Sequence, residues 1–265
     1  MSNYFITYGD DAYKYSKIHL IELAKKSNRF DKFLNLGPKS LSKQFRNEFT
    51  DILKNKRGGG YWVWKHEIIM NLLLSIKEND IILYCDAGSS INNLPKANKR
   101  LDEYFEIIND KNNTFLRFET EKNFIENQYT SKEVFKAFNV SVNSEIATST
   151  QLQAGVMFLK KNNESIDFFK NYKKILKSDN NLITDFYTTN QSQSFIENRH
   201  DQSLFSVLGK QYESFILENE TEFRNRKNLQ YDFPILTVRA SNHGMKDKVK
   251  LTLLKKWYAK KTRYF

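Results

Sequence analysis

The 265-residue chain has few of the residues that brace or punctuate a fold: one cysteine, three prolines, nine glycines and four histidines. A single cysteine, Cys85, excludes an intrachain disulfide framework and a cysteine-based zinc site, and it fits a reducing compartment. The histidines, at positions 19, 66, 200 and 243, are too scattered for a zinc cluster. No segment approaches the roughly 20 apolar residues that span a bilayer. The richest, Ile68 to Ile76, is about half that length and reads as a buried helix. The opening MSNYFITYGDD lacks the basic start and apolar stretch of a signal peptide, so a cytoplasmic location is expected. With no repeat, no low-complexity tract and so little proline, no linker divides the chain, and one domain is expected. Neither a Walker loop nor a Gly-x-Gly-x-x-Gly after the first strand is present, which leaves those two nucleotide-binding folds unsupported.

Aromatic residues and positive charge are abundant. Apolar residues make up 40% and aromatics 14%, enough for a sizeable core with aromatics left over to line a cleft. The formal charge of +11 calls for an anionic partner: nucleic acid, acidic lipid or a phosphate-bearing substrate.

Asn3 to Tyr8 reads as a buried strand that stops at Gly9-Asp10-Asp11, followed by a helical pattern around Leu20. Lys32 to Leu36 reads as a second strand, ended by Gly37-Pro38, and Lys39 to Lys54 as a basic amphipathic helix. After Gly58-Gly59-Gly60 a helix is expected from Trp62 to Lys77. Asp80 to Cys85 then forms a continuous apolar run, the mark of a central strand covered on both faces. Further strands are expected at Thr114 to Phe118, Gly155 to Leu159 and Ile235 to Val238, with helices at Ile166 to Leu176 and His200 to Leu208. This order predicts an α/β fold with a mostly parallel, twisted central sheet flanked by helices.

Tyr84-Cys85-Asp86-Ala87-Gly88-Ser89 ends the central strand, where open α/β sheets present ligand-binding groups. A carboxylate followed by small residues there suits a hard cation on a diphosphate. A capping Asp in a turn gives the same pattern.

The stretch from Gly58 to Asn92 resembles the donor site of A-type (GT-A) nucleotide-sugar glycosyltransferases: a helix with a basic residue, an apolar strand, then an Asp-x-Asp motif that holds a divalent metal. In particular it resembles small bacterial and viral sugar transferases with a Gly-Gly-Tyr-Trp-x-Trp-Lys-Pro block ahead of Asp-Ala-Gly. Here His66 stands where proline is usual, and Gly88 replaces the second Asp, which leaves the metal to Asp86 and a residue from elsewhere. The resemblance implies His243 for that role, within Ser241-Asn242-His243-Gly244-Met245-Lys246. The retaining family of glycogenin and the lipopolysaccharide galactosyltransferases has a late His-Gly-x-Lys there. Imidazole with carboxylate suits Mn²⁺ better than Mg²⁺, and Lys246 can neutralise a departing diphosphate. A surface loop is the alternative for His243.

By the same resemblance Asp201-Gln202 faces the donor sugar, with Asp201 accepting sugar hydroxyls and Gln202 near the anomeric carbon. Asp201 is otherwise a helix cap, or the base of an inverting reaction. Gln153, Ala154 and Gly155 precede a strand and let backbone approach the sugar. Thr7, Tyr8 and Gly9 match where such enzymes grip base and ribose, Tyr8 either stacking on the base or packing internally. Arg57 and Lys65 flank the glycines and can contact the diphosphate, whereas Trp62 and Trp64 read as helix-packing residues.

Residues 1–244 are thus expected to form the transferase domain and 245–265 a basic amphipathic helix. That tail holds eight Lys or Arg against one Asp, +7 of the +11. Leu253, Leu254, Trp257 and Tyr258 share one face, which suits an anionic membrane surface. A docked terminal helix or a nucleic-acid contact is the alternative, and nucleic acid is disfavoured because the charge is not spread over the fold. The implied activity is transfer of a hexose, with UDP-sugar as the expected donor, to a glycan or lipid-linked glycan, assisted by Mn²⁺ or Mg²⁺ and leaning to retention. A sugar nucleotidyltransferase would carry a basic glycine-rich loop after the first strand; Gly9-Asp10-Asp11 is acidic. A non-enzymatic nucleic-acid-binding protein is the further alternative.

Overall fold

The computed structural model describes residues 1–222 and 232–237. A six-stranded sheet in the order β2-β1-β3-β6-β5-β7 forms its centre. The strands are β1 (Asn3–Tyr8), β2 (Lys32–Leu36), β3 (Ile81–Cys85), β5 (Phe115–Phe118), β6 (Val156–Lys160) and β7 (Phe215–Leu217). β1 runs parallel to both β2 and β3, and β5 parallel to β7; β6 lies antiparallel between β3 and β5. A separate ribbon pairs β4 (Ser90–Ile91) with β8 (Ile235–Leu236). The longer helices are α1 (Lys14–Lys26), α2 (Trp64–Ser75), α3 (Pro95–Asn109), α4 (Asn163–Ser178) and α5 (Asp201–Gly209).

Strand alternation divides the core into two layers. Ile81, Leu83 and Cys85 point to one face with Leu20, Ala24, Leu101 and Tyr104 from α1 and α3. Ile82 and Tyr84 point to the other with Ile69, Leu73, Phe168 and Phe205 from α2, α4 and α5. All five β3 residues are fully buried, which is why this strand reads as an unbroken apolar run rather than an alternating one. α2 packs against α4 on the same face of the sheet, and most of it is buried, including Lys65, His66 and Glu67. His66 is ringed by Phe45, Phe49 and Tyr172 at centroid distances of 5.5, 5.7 and 5.5 Å, and burial lowers its pKa to about 3. A neutral imidazole therefore fills the core at the position where the resembled motif has proline.

The expected helix over 39–54 is broken into a 3₁₀ turn Pro38–Ser40 and short helices Lys43–Glu48 and Thr50–Leu53. Phe45 and Phe49 both turn inward, and the Thr50 hydroxyl donates back to the carbonyls of Arg46 and Asn47, a bond that bends helices. α2 starts at Trp64 rather than Trp62, because Trp62 has a φ of 59°. α3 and β7 were not among the expected elements, although Leu101, Tyr104, Phe105 and Ile108 of α3 stand at helical spacing behind a proline at its start. Val238 and residues 245–265, with the terminal helix expected there, lie outside the described residues.

Leu83 has no accessible surface, on the strand at the middle of both layers. Leu83→Ala is expected to lower the unfolding free energy by about 2–5 kcal/mol, measured by urea denaturation against the wild type.

Candidate functional site

The carboxyl ends of β1 and β3 and the amino end of the antiparallel β6 meet at one edge of the sheet. This brings Tyr8-Gly9, Asp86 and Ala154-Gly155 together from distant parts of the chain. The Asp86 amide donates to the Gly155 carbonyl at 2.8 Å, carrying the β3–β6 pairing one residue past the strand. A Cβ on Gly155 would lie 3.0 Å from Asp86 Oδ2, and one on Gly9 only 2.7 Å from the Tyr13 Cβ. Both glycines are therefore set by close approach, not by turn geometry alone.

Lys65 lies under this edge with 1% of its side chain exposed. Its ammonium donates to Asp201 Oδ2 at 2.5 Å and to the Ala154 carbonyl at 2.9 Å, and stands 3.3 Å from Asp86 Oδ1. It also lies 5.0 Å above the Tyr84 ring. The Tyr84 hydroxyl donates to Asp86 Oδ1 at 2.5 Å, and burial first, then Asp86, raises the Tyr84 pKa so that it stays a donor. Oδ1 of Asp86 is thus engaged from below, and Oδ2 is the oxygen beside Gly155.

One cation faces two carboxylates here. Burial opposes the Lys65 charge, but Asp201 and Asp86 outweigh it and raise its pKa. The more deeply buried carboxyl bears the shortfall: burial, and then repulsion from Asp86 against the pull of Lys65, raises Asp201 to about 6. Such a displaced carboxyl in a cleft is a mark of functional sites. Asp201 is the first helical residue of α5, not its cap; His200 holds the cap position with φ 53° and ψ −126°. The His200 ring is held by the Ile183 carbonyl at 3.1 Å and by Tyr61 and Trp62, the latter stacked at 5.6 Å. A non-glycine residue in that region is strained and persists only where its surroundings impose it.

The rim above Lys65 is a left-handed turn: Gly58, Gly59, Gly60, Tyr61 and Trp62 all have positive φ, from 50° to 96°. Only glycine enters this region without a steric cost, which accounts for the triple glycine. Arg57 and the Tyr61 hydroxyl anchor the turn to Asp185 at 3.0 and 3.1 Å, and Trp64 Nε1 donates to the Gly58 carbonyl at 2.9 Å. The Trp64 ring stacks on Tyr8 at 3.8 Å, so one face of Tyr8 is already covered.

These groups surround a cavity of about 920 Å³ that passes over the sheet edge. Of the site residues expected from sequence, Tyr8, Gly9, Arg57, Lys65, Asp86, Ala87, Gly88, Gln153, Ala154, Gly155, Asp201 and Gln202 line it. Thr7 is fully buried within β1 and does not. His243 and Lys246 lie outside the described residues. Lys65 has both carboxylates and a carbonyl as partners, so it organises the cavity floor. The sequence did not reveal Asp10, Tyr13, Arg46, Lys54 and Lys56 as lining residues, or Tyr84 as the partner of Asp86. Period-two alternation from Asp86 places Tyr84 on the same side, the one signal that could have found it.

A metal ion needs more than Asp86 provides. Among the described residues no three His, Cys, Asp or Glu side chains come together as a metal-binding group. Asp86 Oδ2 fits as one oxygen ligand, to be completed by ligand phosphates and a further side chain.

The fold is that of A-type glycosyltransferases. A glycosyltransferase involved in glycosylation of the major capsid of PBCV-1 superposes with a TM-score of 0.51 at 9% identity, over 97% of this chain and 100% of that one. The apo WbbM bifunctional glycosyltransferase gives 0.52 at 11% identity, over 93% of this chain and 46% of that longer one. Mouse xyloside xylosyltransferase 1, also apo, gives 0.49 at 9% identity over 89% and 97%. The fold assignment rests on the first two. No protein-family model and no curated protein matches the sequence.

Lys65→Met would leave Asp86 and Asp201 without their shared cation, at a cost of about 3–5 kcal/mol in unfolding free energy. A carboxyl raised to about 6 binds its proton more tightly folded than unfolded. Its stabilising contribution is therefore complete below about pH 4 and lost as the pH rises through about 6. The unfolding free energy of the wild type minus that of Asp201→Asn should fall across this window, in denaturation curves taken at successive pH values. A difference that rises with pH would show that Lys65 overcompensates the burial of Asp201.

Proposed function

We propose that the protein is a glycosyltransferase that moves a hexose from a nucleotide diphosphate sugar, with UDP as the expected nucleotide, to a glycan or lipid-linked glycan. The observation that carries this reading is the Asp86–Lys65–Asp201 cluster at the strand ends of an A-type fold, on the floor of a cavity large enough for a ligand of that size. The nucleotide would lie toward Tyr8 and Gly9, the diphosphate over Asp86, and the sugar over Ala154, Gly155 and Gln202. Asp86 through Oδ2, with His243, would hold Mn²⁺ or Mg²⁺. When bound, such an ion neutralises charge on the leaving diphosphate. Lys246, brought by the segment that carries His243, would add to that, and Arg57 would contribute from the glycine turn.

The residues' own chemistry follows from their protonation. Lys65 pairs with Asp86 and aims it, and holds Asp201 beside the sugar position. Asp201 then accepts hydrogen bonds from sugar hydroxyls when ionised. Gln202, one residue along α5, presents an amide to the reacting carbon. Retention is the preferred stereochemistry, on the resemblance of the Asp201-Gln202 block to that of retaining sugar transferases. The basic segment 245–265 would hold the enzyme at the inner face of an anionic membrane, where a lipid-linked acceptor resides.

Purified protein with a panel of nucleotide sugars should release nucleoside diphosphate from one donor only when Mn²⁺ or Mg²⁺ is present. Asp86→Ala should lower that rate by roughly a hundredfold or more. Absence of binding and turnover with every donor would end the transferase reading. Vesicles of phosphatidylcholine with an anionic lipid should sediment the full chain at low salt but not a chain ending at residue 244, whereas equal sedimentation would remove the membrane role.

A further inference from the structure

Beneath Gln202 lies a buried polar chain that ends in a charge. Gln202 Nε2 donates to Gln151 Oε1 at 2.8 Å. The Gln151 amide nitrogen in turn donates to Glu126 Oε1 at 3.0 Å, and lies 3.1 Å from both the Tyr129 carbonyl and the Thr130 hydroxyl. Glu126 has no accessible surface. It also accepts from Thr130 Oγ1 at 2.6 Å, Ser206 Oγ at 2.5 Å and Lys210 Nζ at 2.6 Å.

An isolated glutamine amide has two orientations of nearly equal energy, related by exchange of oxygen and nitrogen. Here the choice is forced. A carboxylate and a carbonyl only accept, so the Gln151 nitrogen must face Glu126 and Tyr129. Its oxygen must then face Gln202, which turns the Gln202 nitrogen inward. Gln202 Oε1 is left with no hydrogen-bond partner among the described residues, in a residue that lines the cavity. Reversing Gln202 would set two amide oxygens against each other, and reversing Gln151 would set its oxygen against a buried carboxylate.

We propose that Glu126 is a positioning residue that fixes, through Gln151, the amide polarity of Gln202, so that its acceptor oxygen Oε1 is the end of the amide left for the cavity. The part of the substrate over Gln202 must then offer a hydroxyl hydrogen or an electron-poor carbon, as a donor sugar with a free hydroxyl beside its anomeric carbon does. Ser206 on α5 and Lys210 at its carboxyl-terminal cap both donate to Glu126 and tie it to the helix that carries Gln202. The consequence for catalysis rests on the transferase reading; the polarity itself does not.

Glu126→Gln keeps the shape of the side chain but brings an N–H₂ group among donors, so the relay loses its fixed sense. In ¹⁵N-labelled wild type, the Gln202 side-chain amide protons, identified by their loss in Gln202→Glu, should exchange slowly with solvent. In Glu126→Gln they should exchange at least tenfold faster. The same variant should lower kcat by on the order of tenfold to a hundredfold with the donor KM within about twofold, at an unchanged circular dichroism spectrum. Should Glu126→Gln fail to fold, Glu126→Met with Lys210→Met removes both charges and is read the same way. Fast exchange of the Gln202 amide in the wild type, or unaltered exchange in the variants, overturns the relay. An intact relay in a protein that turns over no nucleotide sugar overturns the transferase reading alone. Unaltered kcat with altered exchange removes the catalytic consequence.

Discussion

One buried ammonium organises the site. Lys65 on α2 reaches between Asp86 at the end of β3 and Asp201 at the start of α5, and closes on the Ala154 carbonyl ahead of β6. Three elements from both halves of the chain are thereby fixed to a point. A lysine with 1% side-chain exposure is stable only if its charge is matched, and here it is matched twice over. The excess negative charge falls on Asp201, whose raised pKa is the electrostatic signature of the arrangement. If Lys65 were a free surface residue, Asp201 would lose its charged partner and Asp86 would be directed by the Tyr84 hydroxyl alone.

The walls of the cavity use backbone conformation instead of charge. From Gly58 to Trp62 the chain winds left-handed, a course that costs about 1–2 kcal/mol per residue bearing a side chain. Two of the five residues are Tyr61 and Trp62, and both are clasped: Tyr61 by Asp185, Trp62 by the His200 ring. His200 is itself held in an uncommon conformation directly before Asp201. Strained backbone on the rim and a displaced carboxyl on the floor thus sit within one residue of each other. Such strain persists where the surrounding fold over-determines it, and it concentrates at sites that bind and react.

The Glu126 chain adds a different kind of order. Lys65 sets where carboxylates point, whereas Glu126 sets the sense of an amide, whose two orientations have nearly the same shape. Each uses a buried charge to impose direction on a neutral or weakly constrained group nearby. The two converge on α5, where consecutive residues Asp201 and Gln202 receive one constraint each. This helix is short and apolar apart from those contacts, so its polar side chains are nearly all committed.

Strands β1, β2, β3, β5 and β6 and helices α1, α2, α4 and α5 were legible in the sequence. Continuous burial of Ile81 to Cys85, helical spacing in Trp64 to Ser75 and the stop at Gly9 are local patterns, and local patterns are written in consecutive residues. The sequence also marked Asp86, Lys65 and Asp201-Gln202, because resemblance to transferase motifs needs only short blocks. α3 was passed over, although Leu101, Tyr104, Phe105 and Ile108 fall on one helical face, and the broken helices around Phe49 were joined, where tertiary burial of two aromatics overrode the periodic pattern. The tertiary structure alone decided which charges meet. Lys65 and Asp201 are 136 positions apart and Glu126 and Ser206 80 apart, and no spacing rule spans such distances. Pairing of buried charges depends on which strand ends converge. That convergence follows from the antiparallel entry of β6 beside β3, a choice made by the packing of both layers together and by no segment alone.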